Sequence, residues 1–551
     1  NGRVQPLRLR DNFLDRAAYP NEKRYQFADT MTWTTGSHTF KFGGDINQVS
    51  DTLDNLFQNA GAYVYTTLAD FLTDYSVPSQ KRYSSFSQGF GPTKFTFKTH
   101  DFNFFVQDNI QITRRFALNL GLRYEYEKLP SPQIPNTLEP RSGVFPADKN
   151  NFGPRIGFAY DLTGDGKTSL RGGYGIYYGR IINSTISNAI TNTGVANSQK
   201  QFSNLSAAQA GLLYPNVFAA APTLAGAPPD IVVFSPTFQA PMIHQSDIVL
   251  ERLIGTNTVL SFSALYSAGR SLPTFYDTNI APATATTTYT FNGGPFGGTA
   301  INAPRYTVRP NTSFGAITEI RDTVKSQYAG LVVQLNRRFS QGLQFQSSYT
   351  YSRASDNNQI SQTFSITNAP LDNFNLNAEK ARSNFDVPHR FVASLVYAPR
   401  TLFGIGGDSS TARKILGGFS IAPIFSASSG FVYSYGTSGN APTPRVSTGP
   451  LGDGGSFRLP NAYRNALRAE HTVNMDLRVS RRFHFTEAMN LELLAEGFNI
   501  FNRYQVTGVN STAYAISGTT FNYQTTFGTP NTAGNSLIRE RQIQFAARFQ
   551  F

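Results

Sequence analysis

Apolar and polar residues alternate along long stretches of this sequence. In residues 116–127, Phe, Leu and Tyr occupy every second position, and Ala, Asn, Gly, Arg and Glu lie between them. A β-strand points successive side chains to opposite faces, so this pattern predicts a strand with one apolar and one polar face. The same alternation recurs in residues 170–178, 343–352, 472–480 and 542–551.

The length of these stretches separates two kinds of β protein. They run for nine to twelve residues, which suits a tilted membrane-spanning strand of about 9–11 residues. A soluble antiparallel sandwich also alternates, but its strands are most often about 5–6 residues long. Aromatic strand ends, and the absence of helix-period segments in between, also count against the sandwich. The pattern therefore predicts an all-β fold, an antiparallel transmembrane β-barrel.

The final ten residues of the chain are the most informative. Ile543, Phe545, Phe549 and Phe551 lie on one predicted face, and the sequence stops on a bare aromatic residue. A soluble domain gains little from an exposed Phe at its end. A barrel gains a lipid-facing anchor at the membrane rim.

Fifteen segments carry the strand pattern. They lie near residues 25–34, 38–50, 101–112, 116–127, 153–162, 168–179, 242–252, 257–268, 327–339, 343–353, 390–398, 418–431, 471–484, 489–501 and 538–551. A further hairpin above the membrane is predicted at residues 61–67 and 80–90, with a helical turn between them. No break in composition divides the chain, so residues 1–551 are interpreted as one barrel domain.

Connections between the predicted strands alternate between short and long. Short turns are typical of the periplasmic side of an outer-membrane barrel, and long polar loops are typical of the extracellular side. Residues 399–417 fit poorly, because they are long where a short turn is expected. The first strand runs toward the short-turn side, and the strand count is odd. Bacterial barrels are even-stranded, so we expect an open sheet with earlier strands missing.

Composition narrows the class of protein further. No run approaches the ~18 apolar residues of a spanning helix, which excludes a helical membrane protein. The chain has no Cys, so disulfides, zinc–thiolate sites and thiol catalysis are excluded. The net charge of +13 is compatible with nucleic-acid binding, but the basic residues are spread out, and we expect no nucleic-acid partner. Four of them lie on polar strand faces and are predicted to face the lumen: Arg123, Arg171, Arg478 and Arg548.

Motifs for cofactors or catalysis are weak. Residues 161–166 begin like a calcium loop, but position 12 is Gly172 and the flanks are strands, so a tight turn is favoured. The six His residues lack metal-ligand spacing, and no GxSxG motif is present. We expect no catalytic, metal or cofactor site and no enzyme. Residues 289–296 are interpreted either as a surface segment that grips a ligand or as part of a flexible loop.

Several segments in order resemble one family of proteins. They are FFVQDNIQITRRFALNLGLRYEY (104–126), NNFGPRIGFAYDLTGDGKTSLRGGYGIYY (150–178), QYAGLVVQLNRRFSQGLQFQSSYTYSRASD (327–356), DVPHRFVASLVY (386–397) and AEGFNIFNRYQ (495–505). These resemble the barrel of TonB-dependent outer-membrane receptors, and most closely the Oar-like group. The last ten residues resemble the C-terminal signal by which bacterial outer-membrane proteins are recognised for assembly.

The resemblance implies a location, partners and a function. It implies the outer membrane of a Gram-negative bacterium, contact with its lipid and lipopolysaccharide, and insertion by the barrel assembly machinery. Such barrels usually have twenty-two strands, preceded by a plug and a TonB box that are not visible here. The implied function is TonB-dependent uptake of a nutrient too large for porins, of unknown identity. The alternative is a passive pore or a structural surface barrel without a plug.

Overall fold

The computed structural model describes residues 8–9, 21–54, 56–195, 197–223, 228–358, 369–405, 411, 415–533 and 539–551. Within these ranges, fifteen long strands pair consecutively into one antiparallel sheet. We number them β1 (Asn21–Thr35), β2 (His38–Asp54), β3 (Lys94–Thr113), β4 (Phe116–Lys128), β5 (Phe152–Asp161), β6 (Thr168–Tyr178), β7 (Met242–Ile254), β8 (Thr258–Asp277), β9 (Ile317–Ser340), β10 (Leu343–Asp356), β11 (His389–Tyr397), β12 (Phe419–Ser428), β13 (Thr472–His484), β14 (Asn490–Phe498) and β15 (Gln542–Gln550). The predicted number of strands and their order are confirmed.

The strand register separates an apolar face from a polar face. On β4, Leu118, Leu120 and Leu122 lie opposite Ile110, Asp108 and Val106 of β3. Residues directly opposite each other in an antiparallel pair share a face. Following the pairs across the sheet places Val473, Met475, Leu477, Ile543, Phe545 and Phe549 on that same apolar face.

The two edges of the sheet remain unpaired with each other. No ladder joins β1 to β15 within the described residues, and every residue of both strands is exposed. An edge strand presents a row of unpaired N–H and C=O groups. The predicted open sheet is therefore what the described part of the chain forms.

Short connections lie at one end of the sheet. They comprise residues 36–37, 114–115, 162–167, 255–257, 341–342 and 485–489. Gly36 adopts a φ of +56° in the β1–β2 turn, a conformation that Gly reaches without steric cost. The connection between β11 and β12, residues 398–418, is long, and the structure describes 398–405, 411 and 415–418 of it, with the 3-10 helix Leu402–Gly404 in the first part.

The long loops at the other end contain secondary structure of their own. Strands Ala62–Val64 and Ser85–Phe90 form the predicted extra hairpin, with helix Leu68–Ser76 between them. Further helices are Asn183–Thr191 and Ala207–Ala210, with 3-10 helices Pro78–Gln80, Pro140–Gly143 and Leu376–Glu379. Further short strands are Arg8–Leu9, Lys200–Leu205, Ile231–Phe234, Ala381–Arg382, Val432–Tyr433, Leu467–Arg468, Val506–Val509 and Pro530–Ala533. Among the described residues, no helix is long and apolar enough to cross a membrane.

Three separate loops combine into a second sheet, which we call the loop sheet. Its five strands are Ala300–Arg305, Ala285–Asn292, Thr520–Tyr523, Thr512–Ser517 and Gly436–Ser438, in that spatial order. Tyr289, Phe291, Tyr514 and Phe521 form its buried aromatic core. The sequence predicts that residues 289–296 either grip a ligand or belong to a flexible loop. Both predictions are wrong for Tyr289 and Phe291, because these two side chains fill the core of the loop sheet.

Candidate functional site

Ion pairs run along the polar face of the main sheet. Arg171 on β6 pairs with Glu251 on β7. Arg478 on β13 lies 3.8 Å from Glu492 and 3.7 Å from Glu496, both on β14. Opposite charges on neighbouring strands stabilise strand pairing, so these side chains help to hold the sheet together.

The other two arginines predicted to face the lumen also have acidic neighbours. Arg123 on β4 lies 3.4 Å from Asp45 on β2, and it also pairs with Glu125. Arg548 lies directly opposite Glu492 in the β14–β15 register. The register thus brings all four arginines to one face. That this face lines a lumen stays a prediction.

The four residues predicted to signal assembly lie at the free edge of the sheet. Phe545 is 80% exposed and Phe551 is 94% exposed. Ile543 and Phe549 are also exposed, and the rings of Phe549 and Phe551 stack with centroids 6.0 Å apart. These side chains form an apolar row on the face opposite Arg548. Their recognition during assembly stays a prediction.

A recess lies on the polar face where β3 and β4 meet the surface loops, and we call it the mouth recess. Its lining comprises Asp101, Asn103, Arg123, Glu125, Tyr126, Glu127, Leu129, Pro146, Asp148, Asn151, Tyr178, Gly179, Arg180, Ile181, Phe238 and Ala240. The β3–β4 register places Asp101 opposite Glu127 and Asn103 opposite Glu125. Strand alternation therefore supplies one wall, and the loop residues 146–151 and 179–181 supply another.

Asp101 is the most enclosed acid of the mouth recess. Its side chain accepts a hydrogen bond from Asn47 Nδ2 at 2.9 Å and pairs with Arg180 at 2.8 Å, both through Oδ2. The residue is 3% exposed, and its Oδ1 has no hydrogen-bond partner among the described residues. A buried acceptor without a partner is unfavourable, so this oxygen favours a hydrogen-bond donor.

Backbone groups of the loops hold two further acids in the mouth recess. The Ile181 N–H donates to Glu127 Oε2 at 2.8 Å, and the Ala240 N–H donates to Asp148 Oδ2 at 2.8 Å. Asn151 donates to the Asp148 carbonyl at 3.2 Å. Asn151 is 3% exposed, and its own Oδ1 is buried without a hydrogen-bond partner in the structure as described. The mouth recess therefore presents fixed oxygen acceptors.

An ion-pair network fastens one of these loops to the sheet. Arg141, in the loop after β4, lies 2.7 Å from Glu139 and 2.8 Å from Glu319 at the start of β9. The hydrogen bonds that the Arg141 guanidinium donates lower the pKa of Glu139. These ion pairs hold the loop segment that leads into the mouth recess against the start of β9.

A second group of acids lies outside the main sheet, against the core of the loop sheet. Tyr306 donates to Asp372 Oδ1 at 2.6 Å. Burial, with a smaller contribution from the charge of Asp372, raises the pKa of Asp453 to about 7. Asp453 is 2% exposed and accepts a hydrogen bond from the Gly455 N–H at 3.0 Å.

The described residues contain no group of three His, Cys, Asp or Glu side chains placed to hold a metal ion. Residues 161–166 form a turn in which Asp161 accepts hydrogen bonds from the N–H groups of Gly164 and Gly166. The polar groups of the mouth recess can bind and orient a solute without covalent chemistry.

Sequence reasoning did not find the mouth recess. Asp101, Glu125 and Glu127 were visible only as polar positions of two alternating strands, and Asp148 and Asn151 as residues of a polar loop. The signal that was available is three acids, Asp101 on β3 and Glu125 and Glu127 on β4, in the halves of these strands nearer the long loops. Only the strand register and the loop path bring them together.

The chain matches a family of known sequences over nearly its whole length. The model of the outer membrane beta barrel domain matches residues 13–544. No curated protein sequence matches the chain.

Solved structures resemble the chain in fold. The outer membrane transporter YddB from Escherichia coli aligns with a TM-score of 0.51 at 11% identity, over 89% of this chain and 52% of that one. The FrpB iron transporter from Neisseria meningitidis (F3-3 variant) aligns at 0.48 and 10% identity, over 96% and 55%. The ferric-catecholate import receptor Fiu from Escherichia coli K12 aligns at 0.45 and 11% identity, over 96% and 55%. The chain thus spans about half the length of these proteins. The family match over residues 13–544 shows that the chain belongs to the outer membrane beta-barrel domain family and places the protein in the outer membrane of a Gram-negative bacterium.

Proposed function

We propose that this chain forms the barrel of an outer-membrane receptor that imports a nutrient too large for porins and depends on TonB for energy. The solute binds at the loop-covered end of the sheet and passes along the polar face. Binding uses hydrogen bonds and charge, and no covalent step is involved. The Oar-like resemblance supports this reading, and so does the fold shared with an outer membrane transporter.

The observation that carries the proposal is that the surface loops pack against one another and hold one another in place. Tyr514, from the last long loop, donates to the Gly293 carbonyl of another loop at 3.2 Å and accepts a hydrogen bond from the Phe296 N–H at 3.2 Å. A receptor needs such a fixed surface, because binding groups must be held in place before the solute arrives. A passive pore gains nothing from a recess with buried, fixed acceptors.

The experiment separates the receptor from its rival. The native host, a strain without this gene and a strain without TonB are given the same panel: a ferric catecholate, a maltodextrin and a lysine-containing peptide. The proposal expects uptake of one panel member to fail in both mutant strains. Uptake that needs this gene but persists without TonB would favour the passive pore. Unchanged uptake of every member in the strain without the gene would favour a structural surface barrel.

The complete gene product in a planar bilayer supplies a second measurement. A receptor closed by a plug should show no steady conductance, whereas a passive pore should conduct continuously. Steady conductance together with TonB-independent uptake would overturn the proposal.

A further inference from the structure

The mouth recess carries a local charge that is opposite to the charge of the whole chain. The chain has a net charge of +13. Four carboxylates line the mouth recess, from Asp101, Glu125, Glu127 and Asp148, against two guanidinium groups. Elsewhere on the polar face, Arg171 pairs with the single acid Glu251.

The two arginines of the mouth recess are already engaged. Arg123 pairs with Asp45 and Glu125, and Arg180 pairs with Asp101. Because these pairs leave Glu127 and Asp148 without a cationic side chain within ion-pair distance in the described structure, the negative charge that these two carboxylates carry when ionised faces the recess. A partly enclosed site strengthens this field, because the walls exclude water.

Two buried oxygens show which kind of group the mouth recess can accept. Asp101 Oδ1 and Asn151 Oδ1 belong to side chains that are each 3% exposed, and neither oxygen has a hydrogen-bond partner in the described structure. Asn151 is neutral, so its free acceptor is an observation separate from the acidic charge. Acceptors without donors favour a ligand that brings several N–H groups. An anion or an acceptor-only solute would leave them unsatisfied.

We propose that the mouth recess is a binding site for the ammonium group of a basic organic solute, such as a lysine side chain of a peptide. The ammonium offers three donors and one positive charge. The carboxylates of Glu127 and Asp148 line the recess and receive these donors, and Asp101 Oδ1 and Asn151 Oδ1, which are buried in its wall, join them when their side chains rotate. The rings of Tyr178 and Phe238 line the same recess and contact the aliphatic stem of the solute. This inference rests on the proposed function, since it names the class of solute that the receptor takes up.

A metal ion fits the mouth recess less well than an organic cation. Among the described residues, no three ligating side chains converge at the spacing that a metal requires. An ammonium group on a flexible stem makes weaker geometric demands, because its donors rotate to meet the acceptors.

The test compares two blocked tripeptides on the complete gene product in nanodiscs. One has a central lysine, the other a central norleucine, and both have acetylated and amidated ends, so they differ in a single charge. Calorimetry should find the lysine peptide bound roughly tenfold tighter or more, as expected for a desolvated charge pair. Asp101→Asn and Glu127→Gln should each remove that preference. Glu251→Gln, on the polar face but outside the mouth recess, should keep it.

Chemical labelling keeps the inference testable if a variant does not fold. A water-soluble carbodiimide couples biotin-cadaverine, a primary amine, to accessible carboxylates of the unmodified protein. Excess lysine amide should reduce the coupling at Glu127 or Asp148 and leave the coupling at the exposed Glu470 unchanged. Equal binding of the two peptides, no binding of the lysine peptide, or no protection of Glu127 and Asp148 by lysine amide would overturn the inference. These measurements need no energy source. Binding without TonB-dependent uptake would leave this site standing and refute the proposed function, and the converse would refute only this site.

Discussion

The guanidinium of Arg458 lies 2.6 Å from the carboxylate of Glu379, and both side chains are almost completely buried. The two residues come from different surface loops, and Arg464 lies 3.7 Å from the same carboxylate. Glu379 also accepts a hydrogen bond from the Leu371 N–H at 2.7 Å, and Leu371 belongs to the core of the loop sheet. The carboxylate of Glu379 therefore links two surface loops to the core of the loop sheet.

Replacement of Glu379 by Gln should open these loops. Removing one partner of a buried ion pair leaves an uncompensated charge and typically costs about 3–5 kcal/mol. Limited proteolysis should therefore cut residues 369–388 or 429–471 faster in Glu379→Gln, while the heat-modifiable barrel band persists. The matched control is Glu470→Gln, because Glu470 is exposed in one of the same loops. Equal cleavage of the two variants would show that the pair contributes little.

The two faces of β4 should respond differently to a new charge. Leu120 is on the apolar face and 40% exposed, and the adjacent Asn119 is on the polar face. A lipid-facing Arg near the bilayer midplane costs about 2–4 kcal/mol. In the complete gene product, we expect Leu120→Arg to lose that much unfolding free energy in lipid vesicles, and Asn119→Arg to lose much less. Equal losses, measured by urea titration, would contradict the membrane orientation.

Alternation was enough to predict the main sheet, because membrane strands must expose one apolar face and pair at long length. Leu120 and Leu477 are examples, because both lie on the apolar face that the alternation of their sequence neighbours predicted. The strand ends were less well predicted. β9 begins at Ile317 and extends over 24 residues. It is this long because its first residues pair with the loop strand Ile231–Phe234 rather than face lipid.

The loop sheet was not predictable in the same way. Thr290 pairs with Thr520 in a parallel ladder between two loops that are 230 residues apart. Short strands of three to eight residues with mixed composition carry little periodic signal, so only tertiary contact selects them. The mouth recess has the same origin, because Asp101 and Asn151 meet through the fold alone.

Deletion of Phe551 should lower the amount of folded protein in the outer membrane. Its ring is 94% exposed and stacks on Phe549 at the free edge, where the barrel assembly machinery is expected to read the last strand. The heat-modifiable fraction in isolated outer membranes measures the effect. Gln550→Ala, which changes the neighbouring polar position, serves as control. An unchanged folded fraction after the deletion would rule out this role for Phe551.

The stability of the loop sheet should depend on pH through Asp453. Burial, together with the charge of Asp372, raises the pKa of Asp453 from 3.8 to about 7. The folded state therefore holds this proton more tightly than the unfolded state, so the loop sheet loses stability as pH rises from about 4 to about 7. Asp453→Asn should remove the loss.

Hydrogen exchange supplies the measurement for Asp453. Protection of residues 285–292, corrected for the intrinsic rate, should fall between pH 5 and pH 7 in the unmodified protein and stay level in Asp453→Asn. Asp70→Asn provides the control, because Asp70 is only partly buried and lies in the first long loop, away from the loop sheet. The same slope in all three proteins would assign the pH dependence elsewhere.

Cysteine pairs can test whether the sheet is open, because the chain has no Cys of its own. Leu494 and Ala546 lie directly opposite each other in the β14–β15 ladder, so Leu494→Cys with Ala546→Cys should form a disulfide on mild oxidation. Directly opposed antiparallel residues are about 4.5–5.5 Å apart at Cα, within the usual reach of a disulfide.

The open edge predicts that Ala28→Cys with Ala546→Cys stays reduced within one molecule, because β1 and β15 share no ladder. Both positions lie on the polar face, so a closed barrel would place them within reach of each other after a small shift in register. Unpaired N–H and C=O groups are not tolerated in hydrocarbon, and this 551-residue chain alone should therefore also insert poorly into vesicles. An efficient intramolecular Ala28→Cys/Ala546→Cys disulfide, accompanied by stable insertion, would show that these two strands close the barrel by themselves, and would favour a passive pore over a receptor.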